Sequence, residues 1–448
     1  MLYVPPPGTR GRYLALSYCW GKSQAVTLTE ARLKQQPVGF PLRTLPRTLR
    51  DAIIIASHLG FQYIWVDALC IIQDSFEGRD WKQESAVMNK IYGNATLTIA
   101  AAAATSTTEG IFSFGNNQDA PKCALPYQLP DGQLGSVNVE AYETEELTEE
   151  SLDSRAWALQ ESLISPRLLR YGTQQMSWKC NHLEENANGP LISRSKQLGP
   201  RSAKWTSIVT DYTARTLTYN SDRLAALAGY AKLLGTKRPY DEYLAGLWKS
   251  ELLEGLLWYR CAKSDPNPRP TSYYAPSWSW ASIDSAVRFT YWPMDYQSHA
   301  EIVNVSSTLP TRDYVSPLNR PQQSVLSIYG YVKHLDNRAF FQESNGTPVF
   351  QSTHKFQSQG RRGSEQASGD VILDVSGPFD ALEDGSNPPL ICVHITPTCG
   401  LVLISTQKQN DTGSDLYERI GLATGPVFEE WFIDSSCGPF KDELVRIV

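Results

Sequence analysis

The sequence predicts an α/β protein: a parallel sheet in the N-terminal part, a helical middle and an antiparallel β-rich C-terminal region. Three observations carry that expectation. Residues 13–18, 63–66 and 95–101 are near-continuous apolar runs of strand length, as expected for strands buried on both faces. Stretches with helical periodicity separate them, which points to parallel strands joined by right-handed crossovers. Beyond residue 286 the runs become short and β-rich, as in Ser327-Ile328-Tyr329-Gly330-Tyr331-Val332 and Leu401-Val402-Leu403-Ile404.

Residues 13–18 end at Cys19-Trp20-Gly21, and the polar stretch 22–44 holds a helical turn within 29–36. Leu45-Pro46-Arg47-Thr48 opens a helix with proline in its first turn. Leu49, Ala52, Ile53, Ala56 and Leu59 mark its buried face, and Gly60 closes it. Residues 63–66 form a strand ending at Asp67, followed by a loop carrying Gln73-Asp74. Residues 80–93 read as one short helix. Asp80 and Gln83 have capping-box spacing, and Gly93 stands where a left-handed terminator belongs. Residues 95–101 make the third strand.

Residues 105–150 suggest loops and short strands, ending in an acidic run, 143–150, that reads as a solvated face or helix start. A helix begins at 154–161, and 168–171 with 175–178 form a strand pair. Residues 186–203, rich in Gly, Pro and Ser, are a candidate linker. Within 205–260, one helix capped by Ser221 or Asp222 runs through Leu224, Leu227, Ala228 and Ala231. A second carries Leu244, Leu247, Trp248, Leu252, Leu256 and Trp258. Three prolines in 266–270 break the pattern. A Ser/Gly/Gln-rich loop at 351–370 is expected to be disordered. The expected division is therefore 1–185, 186–285 and 286–448.

At 448 residues the chain is too long for one ordinary core. Its net charge of −6 and scattered basic residues argue against a nucleic-acid surface, leaving a local anionic-ligand pocket open. No run approaches the roughly 20 apolar residues of a membrane span, and the first residues lack a signal-like apolar core. The eight cysteines are dispersed without CxxC pairs, so thiols and a cytoplasmic location are expected.

Glu84 is the candidate catalytic residue. It lies three residues after Trp81 and four before Met88, on the stripe that Ile91 and Tyr92 extend. A carboxylate facing inward is costly unless paired, protonated or used. The other reading is an ion pair with Arg12, Arg47 or Arg155. In open parallel sheets, ligands sit beyond the carboxyl ends of the strands. Those ends carry Ser17, Tyr18, Trp20, Gly21 and Asp67, expected with Trp81 to line a binding site. Trp20 offers a ring for stacking and Gly21 a close backbone approach; each is read equally as core and turn. Asp67 suits a ribose hydroxyl or an Asx turn, Trp81 packing or ligand contact, and Arg155 and Glu161 structural ion pairs. Cys70 has no apparent histidine partner. Cys180-Asn181-His182 lacks further zinc ligands, and no Walker A or dinucleotide glycine fingerprint occurs. No metal site is expected.

Several blocks carry a family resemblance. They are Tyr13-Leu14-Ala15-Leu16-Ser17-Tyr18-Cys19-Trp20-Gly21, Leu45-Pro46-Arg47-Thr48-Leu49-Arg50-Asp51-Ala52-Ile53 and Tyr63-Ile64-Trp65-Val66-Asp67 through Gln73-Asp74. Asp80-Trp81 with Glu84, Met88 and Ile91-Tyr92, then Arg155-Ala156-Trp157-Ala158-Leu159-Gln160-Glu161 and Trp178-Lys179-Cys180, complete them. Together they resemble the fungal heterokaryon-incompatibility (HET) domain, and Trp278-Ser279-Trp280-Ala281 is similar to a downstream segment of long HET proteins. Gly110-Ile111-Phe112-Ser113 departs where family members often continue towards an arginine. The resemblance implies a flavodoxin/TIR-like sheet and a part in fungal self/non-self recognition and cell death. It also implies cleavage of NAD, because some TIR domains do so through a glutamate in a Trp-x-x-Glu pattern matched by Trp81 and Glu84. NAD is then a consumed substrate rather than a cofactor, self-association accompanies activity, and an unidentified protein is the trigger. A non-enzymatic, self-associating death-signalling scaffold is the alternative.

Overall fold

The computed structural model describes residues 1–22, 26–35, 39–113, 122–130, 132–140, 150–187, 204–261, 269–270, 272–292, 296–306, 324–335, 353–357, 368–374, 388–411, 413–426, 428–433 and 440–448. Most of the acidic run, nearly all of the linker candidate, most of the proline cluster and much of the loop at 351–370 lie outside these residues. The chain divides into two compact units, Met1–Ser202 and Ala203–Val448.

In the first unit the elements are β1 (Leu14–Ser17), α1 (Glu30–Lys34), α2 (Arg47–His58), β2 (Ile64–Trp65), α3 (Asp67–Cys70), α4 (Arg79–Ser85), α5 (Met88–Asn94), β3 (Leu97–Ala101), β4 (Lys122–Gln128), β5 (Leu134–Glu140), α6 (Ala156–Ile164), β6 (Arg167–Tyr171), β7 (Met176–Cys180) and β8 (Glu184–Asn186). The main sheet has the order β2-β1-β3-β6-β7-β8. Its first four strands are parallel, and β7 and β8 continue it antiparallel. The expected parallel sheet is present.

Strand alternation sorts the two sheet faces. Leu14 and Leu16 of β1 and Tyr18 just after it join Leu97, Ile99 and Ala101 of β3 in a core with Leu49, Ala52, Ile55 and Ala56 of α2. The opposite set, Cys19, Ala100, Ala102 and Leu168, packs with Ala158 of α6. Helices therefore cover both faces, which is why these strands read as continuous apolar runs. Gly60, at φ +74°, ends α2 as expected, while Pro46 precedes the first helical residue instead of lying within the turn.

The segment 80–93 differs from its expectation: it is two helices, broken at Ala86 and Val87, the latter at φ −114°, ψ 4°. No capping box forms, because Asp80 already belongs to the first turn, which follows Gly78 at φ +64°. The Asp80 carboxylate instead accepts the Ile72 amide at 2.7 Å, tying the helix to the preceding loop. Gly93 is no terminator. It lies inside α5, where a Cβ would meet Ile164 of α6 at 3.2 Å.

The second unit begins with α7 (Trp205–Thr213) and α8 (Ala225–Gly235). A 3₁₀ turn, Asn220–Asp222, precedes the latter, and neither Ser221 nor Asp222 caps it. The expected second helix is mostly absent. Its span holds β9 (Tyr243–Leu244), β10 (Leu247–Trp248), the single turn α9 (Leu252–Gly255) and β11 (Trp258–Arg260). Ala245 and Gly246 have φ of 45° and 96°, the paired positive values of a tight hairpin. The Gly246 carbonyl accepts both the Trp205 and Trp280 indoles, at 2.8 and 2.9 Å. Tryptophan packing thus overrides the helical spacing. The Trp278-Ser279-Trp280-Ala281 segment is wholly buried.

The remaining strands are β12 (Val287–Phe289), β13 (Glu301–Ser306), β14 (Val325–Leu335), β15 (Thr353–Gln357), β16 (Ser368–Leu373), β17 (Leu390–Thr396), β18 (Cys399–Gln409), β19 (Asp415–Thr424) and β20 (Phe440–Ile447). β12 pairs with β11, and the other eight form a mainly antiparallel sheet, the antiparallel β region expected here. Because β20 pairs with both β14 and β19, strands β14, β17, β18, β19 and β20 close into a ring; β19 and β20 are its parallel pair. Fully buried Arg419 holds Asp374, its Nε 2.8 Å from Oδ2, and donates to the Leu256 and Trp258 carbonyls. Its guanidinium lies 3.6 Å from the Trp258 ring centroid. Lys333, also fully buried, donates to the Trp431 and Phe432 carbonyls, both at 3.0 Å, at the end of the short helix Phe428–Ile433.

Removing one member of a buried ion pair strands the other charge. Arg419→Met should therefore cost about 3–5 kcal/mol in urea unfolding. Adding Asp374→Leu to it should recover part of that loss.

Candidate functional site

The Ser17–Gly21 stretch leaves the first strand with its side chains alternating, and the two directions meet different partners. Tyr18 and Trp20 turn to one side and both donate to Asp67, Tyr18 Oη to Oδ1 at 2.8 Å and Trp20 Nε1 to Oδ2 at 2.9 Å. Asp67 opens α3, and its Oδ1 also accepts the amide of Ala68 at 2.6 Å. Desolvation pushes this carboxyl above its ordinary value although the residue retains some solvent contact; Arg155 and these donors pull the other way.

Ser17 and Cys19 turn to the opposite side, towards α6. The Arg155 guanidinium, at the start of that helix, donates to the Tyr18 carbonyl and hydrogen-bonds the Cys19 thiol. One and a half turns on, the Glu161 carboxyl is met by the Ser17 and Tyr92 hydroxyls. Burial pushes Glu161 up to about 7, with Arg155 opposing. A protonated Glu161 suits the geometry. Tyr92 donates its own proton to the Leu16 carbonyl at 3.0 Å, leaving its oxygen to accept one from Glu161.

Residues after the third strand complete the rim. Thr48 of α2 donates to the Ser106 carbonyl at 3.1 Å and accepts the Gly110 amide at 3.2 Å. Asp51 accepts the Ile111 amide at 2.8 Å. Thr48, Asp51, Gly110 and Ile111 thus act structurally, docking the post-β3 loop on the helix. Gly21, at φ +78°, lies so close to it that a Cβ would stand 2.6 Å from Ser106 Cβ.

Glu84 stands beside this network. It is half-buried on α4, hydrogen-bonds and ion-pairs with no described residue, and so does not form the pair with Arg12, Arg47 or Arg155. Desolvation, then the nearby Asp80 charge, raises its carboxyl. The Cys70 thiol, pushed up to about 11 by burial, feels both Asp67 and Glu84, placing it near the two carboxylates. Trp81 packs edge-on against Trp157 of α6, ring centroids 6.0 Å apart, tying the Glu84 helix to the helix of Arg155 and Glu161.

Residues 13–161 match the family model described as heterokaryon incompatibility protein (HET). The first unit carries a HET domain. No curated protein and no solved structure gives a significant match. The HET match ends at Glu161, yet β6, which follows it, pairs with β3 inside the same sheet.

Of the expected site residues, the structure joins Ser17, Tyr18, Trp20 and Asp67 in one polar network of the HET domain, places Gly21 at the loop beside it and sets Trp81 in packing. Arg155 and Glu161 act on each other electrostatically, in keeping with the structural ion pairs expected of them, and buried Tyr92 joins the same network. A signal for Glu161 exists: Gln160 and Glu161 interrupt a helix otherwise rich in Ala, Leu and Trp, and both are buried. Among the described residues no three His, Cys, Asp or Glu side chains gather as metal ligands, and no helix is long and apolar enough to cross a membrane.

Glu161 gives a pH signature. Its folded value, about 7, exceeds the ordinary 4.5, so the folded state binds more protons between those values. Its contribution to stability is complete below about pH 4.5 and is lost as pH rises through 7. Urea unfolding from pH 5 to 8 should show a decline in which Glu161 contributes on the order of 3 kcal/mol, the part that Glu161→Gln removes.

Proposed function

We propose that the HET domain hydrolyses the nicotinamide–ribose bond of NAD, within an incompatibility or cell-death response. The observation that carries this reading is Glu84. A half-desolvated carboxylate without a hydrogen-bond or ion-pair partner among the described residues, next to the ends of parallel strands, is unusual in a structural role and apt for stabilising positive charge. The parallel order β2-β1-β3-β6 supports the flavodoxin/TIR likeness as far as its fourth strand; the antiparallel β7 that follows is a departure.

Breaking the C–N bond lets nicotinamide leave neutral, taking the bonding pair, and puts positive charge on the ribose. Ionised Glu84, held near the ribose hydroxyls, stabilises that charge. Water then adds to the anomeric carbon and releases a proton, giving ADP-ribose. The Asp67 acceptors are engaged by Tyr18, Trp20 and Ala68, so Asp67 shapes the rim by holding those rings. Self-association and a protein trigger belong to the same proposal.

One observation favours the second reading, a non-enzymatic self-associating scaffold. Ser17, Tyr18, Trp20, Asp67, Arg155 and Glu161 are used largely on one another, as in a structural keystone.

Full-length protein incubated with NAD, as monomer and after induced assembly, separates the readings by release of nicotinamide. Glu84→Gln should lower turnover by at least about 100-fold with an unchanged thermal melt. Because the ionised carboxylate is required and its pKa is raised, the acid limb of the activity should lie above pH 4.5. Absence of turnover in every assembly state overturns the enzyme.

A further inference from the structure

Among the described residues of the second unit, several guanidinium groups converge on a single buried carboxylate. Arg260, Arg269 and Arg419 all act electrostatically on fully buried Asp374. Arg419 meets it through one edge of its guanidinium, Nε to Oδ2 at 2.8 Å and Nη2 to Oδ1 at 3.4 Å. Arg269 turns outward to Glu418, Nη1 to Oε2 at 2.8 Å, and donates to the Arg419 carbonyl.

Arg260 is different. It is 8% exposed, and its Nε and Nη2 have no hydrogen-bond partner among the described residues. Those two nitrogens form a single guanidinium edge with near-parallel N–H vectors, the same edge that Arg419 turns on Asp374. Arg260 is two residues from Trp258 on β11, so both side chains leave the same face of the strand, and the Trp258 ring lies on Arg419. The Nε of Arg269 is also buried and without a partner among the described residues. Two unpartnered, buried donors on one guanidinium carry a large desolvation cost, which an acceptor removes.

We propose that Arg260 is the base of an oxyanion site in the second unit, taking the phosphate or carboxylate group of a small ligand. Two coplanar oxygens meet the Nε and Nη2 of Arg260, with the Nε of Arg269 as a further donor. The charges agree. Three guanidiniums face Asp374 and Glu418 among the described residues, leaving a balance of one positive charge. The side chains of Arg269 and Glu418 remain 22% and 47% exposed, so the cluster reaches the surface on their side. None of these residues belongs to the HET domain, and the site does not depend on NAD cleavage.

The test uses the full chain, titrated with inorganic phosphate or with acetate at constant ionic strength in chloride. Melting temperature and ³¹P or ¹³C line broadening of the ions are the readouts. One of the two ions should raise the melting temperature saturably and broaden, and the arm that does so identifies the group. Arg260→Lys keeps the charge but loses the paired edge, and should weaken half-saturation at least 10-fold. Glu418→Gln, at an exposed position, should tighten it several-fold by releasing Arg269. If Arg260→Lys fails to fold, the wild-type titration and Glu418→Gln decide. Absence of a saturable response to either ion, or equal responses in wild type and variants, overturns the site.

Discussion

Charge buried at the ends of the parallel strands is the constraint on which the first unit depends. Arg155, Asp67 and Glu161 lie where three strands stop and three connections begin. Strand ends leave backbone carbonyls without ladder partners, and a buried guanidinium can satisfy one while balancing carboxylates. Arg155 does this for the Tyr18 carbonyl. Its removal would leave the Asp67 carboxylate without its counter-charge and push the Glu161 carboxyl further towards the neutral form, and stranding a buried charge costs more than the pair gains. The Ser17–Gly21 stretch, Asp67 and the Arg155–Glu161 helix are therefore one object, although some 140 residues separate their outer members.

The second unit solves a similar problem in another architecture. Arg419 replaces water around Asp374 and two carbonyls, just as Lys333 serves the last carbonyls of Phe428–Ile433. Long cationic side chains are suited to this because their apolar stems pack while their heads donate. Such groups fix geometry more than they add stability, since their desolvation opposes their attraction. The Trp258 ring over Arg419 and the indoles of Trp205 and Trp280 on one carbonyl show how aromatic packing and polar satisfaction are combined.

Glu84 contrasts with these satisfied charges. The surrounding network ties the first strand, α3 and α6 together, so under the proposed function Glu84 has a fixed frame beside it without itself being fastened. A scaffold needs only the frame; an enzyme needs the unfastened group as well.

The sequence by itself determined the parallel strands, the helix from Arg47 to His58 and the β-rich second half, because each rests on local periodicity and turn chemistry. It also marked the residues of the strand ends, from Ser17 to Gly21 and at Asp67. It misread 80–93 as one helix, since nothing local shows that Asp80 would be drawn to the Ile72 amide. It misread 244–258 as helical because Leu247, Leu252 and Leu256 keep helical spacing, while the turn at Ala245-Gly246 is imposed by distant tryptophans. Only the tertiary structure decided that Tyr18 and Trp20 serve Asp67 while Ser17 and Cys19 face α6. A period of two separates the faces, but what waits on each is set by chain returning from far away. The same holds for Arg260, whose paired donors become significant only once Arg419 has taken Asp374.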